Sequence, residues 1–309
     1  MPKFTPENVL LQDAQTGKIP EEQGELIISD FMNDSVITKL AKYEEMSKPK
    51  KTFMYLAEGP GAYWVNEAEK IQTSKAKWLT IEMEAKKLGV ILPVSKEFLN
   101  FTVRDFFEKM KPKIAEAFQI KFDQAALFGI NSPYKKGISI YERAETAGNI
   151  IEQGGNLYDD FNDVMALIEE NDIIPQAFVT TPKFNRHLRG AKDETGLPIF
   201  NAPTQGATAT ALGLPIAYGS RKAWDYKKAN LFTGDFDTSF YGILQNINYE
   251  ISKDATITTL TDEDGQPINL FERDLIALKA TMMIGFMTIK DDAFGAIKGK
   301  EAADLDSEA

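Results

Sequence analysis

Apolar residues recur at three- and four-residue spacing over Glu25–Met46, where Leu26, Ile27, Phe31, Val36, Ile37 and Leu40 can share one face, and this spacing predicts a helix. From Lys51 the period changes to two. Thr52–Ala57 reads as a strand, Gly59-Pro60-Gly61 as a turn or bulge, and Tyr63–Val65 as strand chemistry resumed. The stretch Asn66–Lys77 is polar and charged, as a loop tip should be. Leu79, Ile81, Met83 and Ala85 then alternate with Thr80, Glu82, Glu84 and Lys86, a strand wet on one face. Two strands joined by a polar tip are marginal alone in water, so this hairpin needs a second surface, most simply another chain.

The segment KLGVILPVSKEFLN (Lys87–Asn100) reads as a strand feeding one long amphipathic helix. Over Val103–Phe128 the residues Val103, Phe106, Phe107, Met110, Ile114, Ala117, Phe118, Phe122 and Ala125 keep helical spacing. At 1.5 Å per residue such a helix spans roughly 40 Å. Pro112 lies inside it and removes the hydrogen bond its amide would give Glu108, which predicts a kink or a break. That site is either inert, a meeting of two helices, or a bend that permits shape change during assembly.

Beyond Gly129-Ile130-Asn131-Ser132-Pro133 the chain reads as loops, then a helix near Leu157–Asn171, a strand at Gln176–Thr180 and a helix at Lys183–Leu188. A long irregular Gly/Ala/Thr/Pro-rich loop follows, with a strand near Pro215–Tyr218. The last third is β-rich. Tyr241, Ile243, Ile247, Tyr249 and Ile251 mark one strand, and Ile276–Ile289, apolar on both faces, reads as a central strand. Gly265 lies in a turn between them. The first 25 residues, with Pro2, Pro6, Gly17, Pro20 and Gly24, read as an extended arm, and the acidic tail from Gly299 as disordered. No internal repeat is present. The class is α+β, with segments reaching away from a core.

Composition narrows the chemistry. The chain has 309 residues, 43% hydrophobic content and a net charge of −11, which argues against a surface built to grip nucleic acid or anionic lipid. It has no cysteine, hence no disulfide and no thiolate metal site, and a single histidine, His187, read as an ordinary surface residue. No apolar run approaches the ~20 residues of a membrane span, so no membrane partner is expected. A basic-then-apolar leader is absent, as are GxSxG and the phosphate-binding glycine loops. Glu82 and Glu84 share one strand face, where a carboxylate-based hydrolase pair competes with a solvated face. Trp64, Trp78 and Trp224 read as packing or interface anchors. The expectation is a protein that is not an enzyme and has no cofactor.

Several stretches taken in order, AYWVNEAEKIQTSKAKW, LGVILPVSKEFLN, the helix ending FDQAALFG, LRGAKDETGLPIF with LGLPI, TGDFDTSFYGI and LFERDLIALKATMMIGFMTIKDDAFGAI, give the chain a resemblance to the major capsid proteins of tailed bacteriophages, those of siphophages of Gram-positive hosts above all. The resemblance covers about Glu25 to Ile297 and implies the Hong Kong 97-type capsid fold. It would make residues 1–46 the N-arm and its helix, 47–95 the extended E-loop, and 96–139 the peripheral domain with its spine helix. Residues 140–235 would form the axial domain, 236–280 peripheral-domain strands, 281–298 a strand returning to the axial domain, and 299–309 an acidic tail.

The function so implied is self-assembly into hexamers and pentamers of an icosahedral head enclosing phage double-stranded DNA. It places the protein in the virion after assembly in the bacterial cytoplasm. Trp64, Glu67, Lys70, Ser74, Lys75 and Trp78 then mark the E-loop tip that contacts a neighbouring subunit, and Pro112 the spine-helix kink. The expected partners are further copies of the chain, a portal protein, a decoration protein and non-specifically touched DNA. Because the chain enters the arm almost at once, either a separate scaffolding protein is also expected or the chain is a processed form. Some members of the family join a lysine to an asparagine across subunits; Lys70, Lys75 and Lys77 lie near the tip, but no partner asparagine or catalytic acid is assigned. The alternatives are an encapsulin-type nanocompartment shell and a carboxylate-based hydrolase or ligand-binding protein.

Overall fold

The computed structural model describes residues 35–65, 67, 70, 73–193, 195–201, 208–261 and 265–299. The proposed arm before Ser35, the acidic tail beyond Gly299 and residues 262–264 of the TDEDGQP turn lie outside these residues.

A short helix, α1 (Val36–Leu40), opens the described chain. The helix expected to reach Met46 stops at Leu40, because Lys42–Tyr43 (β1) pairs in parallel with Phe240–Tyr241 and the Tyr43 and Tyr241 rings meet at 5.5 Å. Next come β2 (Lys50–Glu58) and the 19-residue β3 (Lys77–Ser95). Tyr63–Val65, expected to resume a strand, is irregular. Helix α2 (Lys96–Phe128) follows β3 directly and runs 33 residues, about 50 Å. It starts seven residues before the periodicity became readable, and it continues through Pro112 without a break.

The expected loops after Pro133 contain α3 (Ile140–Ala147) and β4 (Ile150–Glu152), which precede α4 (Leu157–Glu169). Then come β5 (Ala177–Thr180), α5 (Asn185–Gly190), β6 (Phe200–Asn201), β7 (Thr210–Ala211), β8 (Leu214–Tyr218) and β9 (Leu231–Gly234). The last part holds β10 (Ser239–Ser252), the small pair β11 (Thr256–Thr261) and β12 (Pro267–Asn269), then β13 (Leu275–Thr288) and β14 (Phe294–Lys298).

Two sheets organise these elements. One has the order β1-β10-β13-β3-β2, the other β4-β14-β9-β5-β8-β7-β6. The central strand expected near Ile276 is β13, antiparallel to both β10 and β3. It straddles the division drawn at residue 280, and the chain crosses to the second sheet only after Thr288.

Helix α2 joins the sheets through its buried face. Phe122 meets Phe286 of β13 edge-on at 6.1 Å, and Phe128 meets Phe232 of β9 at 5.2 Å and Trp224 at 5.3 Å. Buried aromatic pairs of this kind add about 0.5–1.5 kcal/mol each beyond their area. Polar ties reinforce the join, with Lys228 Nζ donating to the Phe128 carbonyl at 2.9 Å and Gln124 to that of Lys222 at 3.0 Å. Glu116 binds Lys222 and Lys113, which hold its carboxyl down to about 2. The fully buried Asp123 of α2 accepts from Ser35 Oγ at 2.6 Å and from the Val36 amide at 3.3 Å, fixing the start of α1 to the helix.

Candidate assembly interface

The hairpin expected from the period-two pattern is real, and its register explains its reach. Residues Ala85–Ser95 of β3 pair with β13 inside the five-stranded sheet, whereas Lys77–Glu84 pair with β2. One strand is therefore half sheet and half projecting ribbon. Along the inner part Met83 and Ala85 are buried, packed with Met46 and Met287; further out burial falls away.

The outer ribbon is apolar and open. Trp64 is fully exposed (105%), Met54 is 74% and Trp78 63% exposed, and Tyr63, Leu56 and Leu79 are exposed as well. Trp78 sits opposite Leu56 in the register, so their backbones are paired neighbours. Exposed aromatic and aliphatic groups gathered on one thin element have the pattern of a candidate interaction surface rather than of scattered surface residues. The tip is closed by the Gly61 amide donating to Ser74 Oγ at 2.6 Å, a bond that ties the two sides together and employs Ser74 within the tip. Glu67, Lys70 and Lys75 are exposed. Pro112 is exposed on α2.

Charge fixes the ribbon's base. Glu84 takes Lys50 across the strands and Lys86 along its own strand, and these two hold its carboxyl down to about 2. Glu82 faces Lys135 at 3.7 Å. The two carboxylates considered as a hydrolytic pair are thus each engaged by lysine. A cleft of about 810 Å³ lies between the ribbon and residues 135–146, with Tyr55 and Ile81 on one side and Lys136 and Arg143 on the other. Arg143 is held firmly: its Nε donates to Thr288 Oγ1 at 2.8 Å, a terminal amino group donates to the Thr288 carbonyl at 2.9 Å, and it pairs with Asp291.

Sequence reasoning missed Met54, Leu56 and Leu79 as surface residues. The signal was present: Phe53 and Tyr55 alternate with Met54 and Leu56, so β2 carries apolar side chains on both faces although it ends its sheet. His187 is exposed, 5.3 Å from the Phe184 ring. Among the described residues no group of three or more His, Asp or Glu is placed to hold a metal ion, and no helix is long and apolar enough to cross a membrane.

The model of the phage capsid family matches residues 17–299. The chain is 41% identical over 296 residues to the major capsid protein of Staphylococcus phage 80alpha, covering 95% of this chain and 89% of that one. It is 23% identical to the probable major capsid protein gp17 of Mycobacterium phage D29, covering 93% of each. Among solved structures it is similar to one from Microbacterium phage Oxtober96, with a TM-score of 0.74 at 24% identity over 94% of this chain and 96% of that chain. A structure from Mycobacterium phage Cain gives a TM-score of 0.73 at 22% identity over 87% and 92%.

Proposed function

The chain belongs to the phage capsid family and is a major capsid protein of a tailed phage, with the Hong Kong 97-type fold, and on that premise we propose how its parts serve the shell. The β2–β3 ribbon is the E-loop, which lies on a neighbouring subunit through Trp64, Trp78 and the charged residues Glu67, Lys70 and Lys75. One observation carries this reading: the ribbon exposes large apolar side chains that no described part of its own chain covers. The five-stranded sheet with α2 acts as the peripheral domain and the seven-stranded sheet as the axial domain, around which subunits gather as pentamers and hexamers. Many modest interfaces per subunit then reinforce one another.

The shell encloses double-stranded DNA. A net charge of −11 suits a container whose wall touches its contents weakly and non-specifically. During assembly in the host cytoplasm it works with a separate scaffolding protein, and in the virion with a portal and a decoration protein. The 41% identity to a phage major capsid protein favours this role over a nanocompartment shell or a ligand-binding protein.

Electron microscopy of the chain expressed alone and with its genomic neighbours tests the reading. Closed shells, or rings that close when a scaffold is supplied, are the expected result. Trp64→Ala is expected to leave the subunit folded, since the side chain makes no burial of its own, while greatly lowering the yield of shells. An unchanged yield would overturn the assigned role of the ribbon tip.

A further inference from the structure

The net charge of −11 conceals a local excess of the opposite sign. Residues 182–192 carry four Lys/Arg and no acid, and residues 219–228 carry four Lys/Arg and one acid, Asp225. The two runs leave the same end of two adjacent strands, because β5 and β8 are parallel and pair Thr180 with Tyr218. They also meet: Thr181 Oγ1 lies 2.9 Å from the Tyr226 hydroxyl, and Lys183 Nζ lies 4.8 Å from the centre of the Tyr226 ring. Over the 3-10 turn Pro182–Phe184 and α5, the exposed Lys183, Arg186 and Arg189 recur every three residues, while Phe184 and Leu188 are buried. Lys222 is taken by Glu116, and Lys228 by the Phe128 carbonyl. Among the described residues no carboxylate forms an ion pair with Lys183, Arg186, Arg189, Arg221 or Lys227.

We propose that this basic end of the seven-stranded sheet is the docking surface of the chain's own acidic tail, residues 300–309, which lies across it and keeps nucleic acid away. Two observations carry the assignment. The first is where the tail departs. Ile297 of β14 pairs with Leu231 of β9, the Asn230 amide donates to the Ile297 carbonyl at 2.8 Å, and Thr180 Oγ1 donates to the Asn230 carbonyl at 2.8 Å. Gly299 therefore leaves the sheet at the end where the basic runs begin, two strands from Thr181, or about 10 Å at the usual spacing. Ten residues can span up to about 33 Å, enough to cross β9 and β5 and reach Lys183 and Arg186. The second observation is sign: Glu301, Asp304, Asp306 and Glu308 outnumber Lys300 in the tail. A row of exposed cations binds phosphate backbones without regard to sequence. A tethered polyanion is present at high effective concentration and competes with them. The contact lies within one chain, so it stands apart from the shell-subunit reading.

The chain contains no cysteine, so a single introduced thiol can be labelled without background. Full-length Ser307→Cys carrying a fluorescent maleimide reports on the tail in unassembled subunits. At low salt its anisotropy should be high and independent of subunit concentration, and it should fall as salt shortens the Debye length from about 30 Å to about 3 Å. Lys183→Glu/Arg186→Glu should abolish the low-salt signal, and Arg221→Gln/Lys227→Gln should lower it. Lys48→Glu/Lys135→Glu, the same change of charge elsewhere on the exposed surface, should leave it intact. A signal that is low at every salt concentration, survives the first variant, or rises with subunit concentration overturns the docking. Neutralising the tail in the full-length chain, by Glu301→Gln/Asp304→Asn/Asp306→Asn/Glu308→Gln, tests what the docking does. It should tighten binding of a DNA duplex of about 20 base pairs about tenfold at low salt, as three or four exposed ion pairs of ordinary strength would. Adding Lys183→Glu/Arg186→Glu to that chain should remove the gain. Equal affinity for the duplex with and without the tail's acids, or a gain that survives the added pair, overturns the covering role.

Discussion

Asp123 allows the fixing of the arm to α2 to be tested in numbers. Burial, the largest influence on its carboxyl, pushes the pKa from 3.8 to about 6 against the opposing pull of the Ser35 hydroxyl and the Val36 and Ile37 amides. The folded chain therefore holds this proton more tightly than the unfolded chain. The stability linked to it is fully present below pH 3.8 and is lost as the pH rises through about 6. A shift of roughly two pK units, at about 1.4 kcal/mol each, makes that loss about 3 kcal/mol. Asn at this position does not titrate, so the difference in unfolding free energy between Asp123→Asn and the unaltered chain isolates the effect. Urea unfolding of unassembled subunits at a series of pH values between about 4 and 7 should show the difference moving by about 3 kcal/mol in favour of the asparagine variant as pH rises. A constant offset across that window would refute the reasoning, since it would mean that water or a cation reaches the carboxylate.

Three further substitutions probe other parts of the molecule. A Cβ on Gly242 would lie 2.5 Å from the Glu44 carbonyl oxygen and 2.7 Å from Met46, so Gly242→Ala should cost about 1–3 kcal/mol in thermal or urea unfolding; a melt like that of the unaltered chain would show that the strands part freely there. Arg143→Ala removes two hydrogen bonds to Thr288 and the pair with Asp291, an expected loss of about 1.5–3 kcal/mol, whereas Lys135→Ala breaks only an exposed pair and should cost under about 0.5 kcal/mol; equal effects would refute the distinction. Pro112→Ala restores an amide donor in mid-helix and should stabilise the subunit by as much as about 3 kcal/mol; particles identical in shape by microscopy would show that the proline is inert in assembly.

Much of this architecture was legible because it depends on local period. The alternation of Leu79–Lys86 predicted a strand with one buried face, and Met83 and Ala85 are buried while Glu82 is exposed. The continuous apolar run at Ile276–Ile289 predicted a strand covered on both sides, as β13 is. Misses occurred where tertiary pairing or capping decided the outcome. Nothing local says that Lys42–Tyr43 leaves a helix to pair with a strand two hundred residues later. Helix α3 did carry a readable sign: Ser139 and Glu142 form a reciprocal cap at its start, and Gly148 adopts a left-handed conformation at its end. Ser95, with Glu97 after it, likewise stood where a helix start is favoured and marks the true beginning of α2. The exposed ribbon was legible as a hairpin without a core. The cavity between α2 and β3 was not, because it is made by bringing Leu88 and Phe118 to one lining from elements that sequence spacing treats separately.

Strand β3 ends at Ser95 and helix α2 begins at Lys96, with no linker between them. Mechanically, the ribbon is a lever whose fulcrum is the sheet and whose other arm is the helix. A neighbour that tilts the tip delivers torque to the first turn of α2, because no loop intervenes to take up the strain. Contacts made at the far end of the ribbon and the bearing of the helix are thus a single coordinate of motion. Where a closed surface curves unequally, as between five-fold and six-fold positions, the subunits should differ at this joint while the seven-stranded sheet stays superposable. The lattice would then record its local curvature in one strand-to-helix angle per subunit.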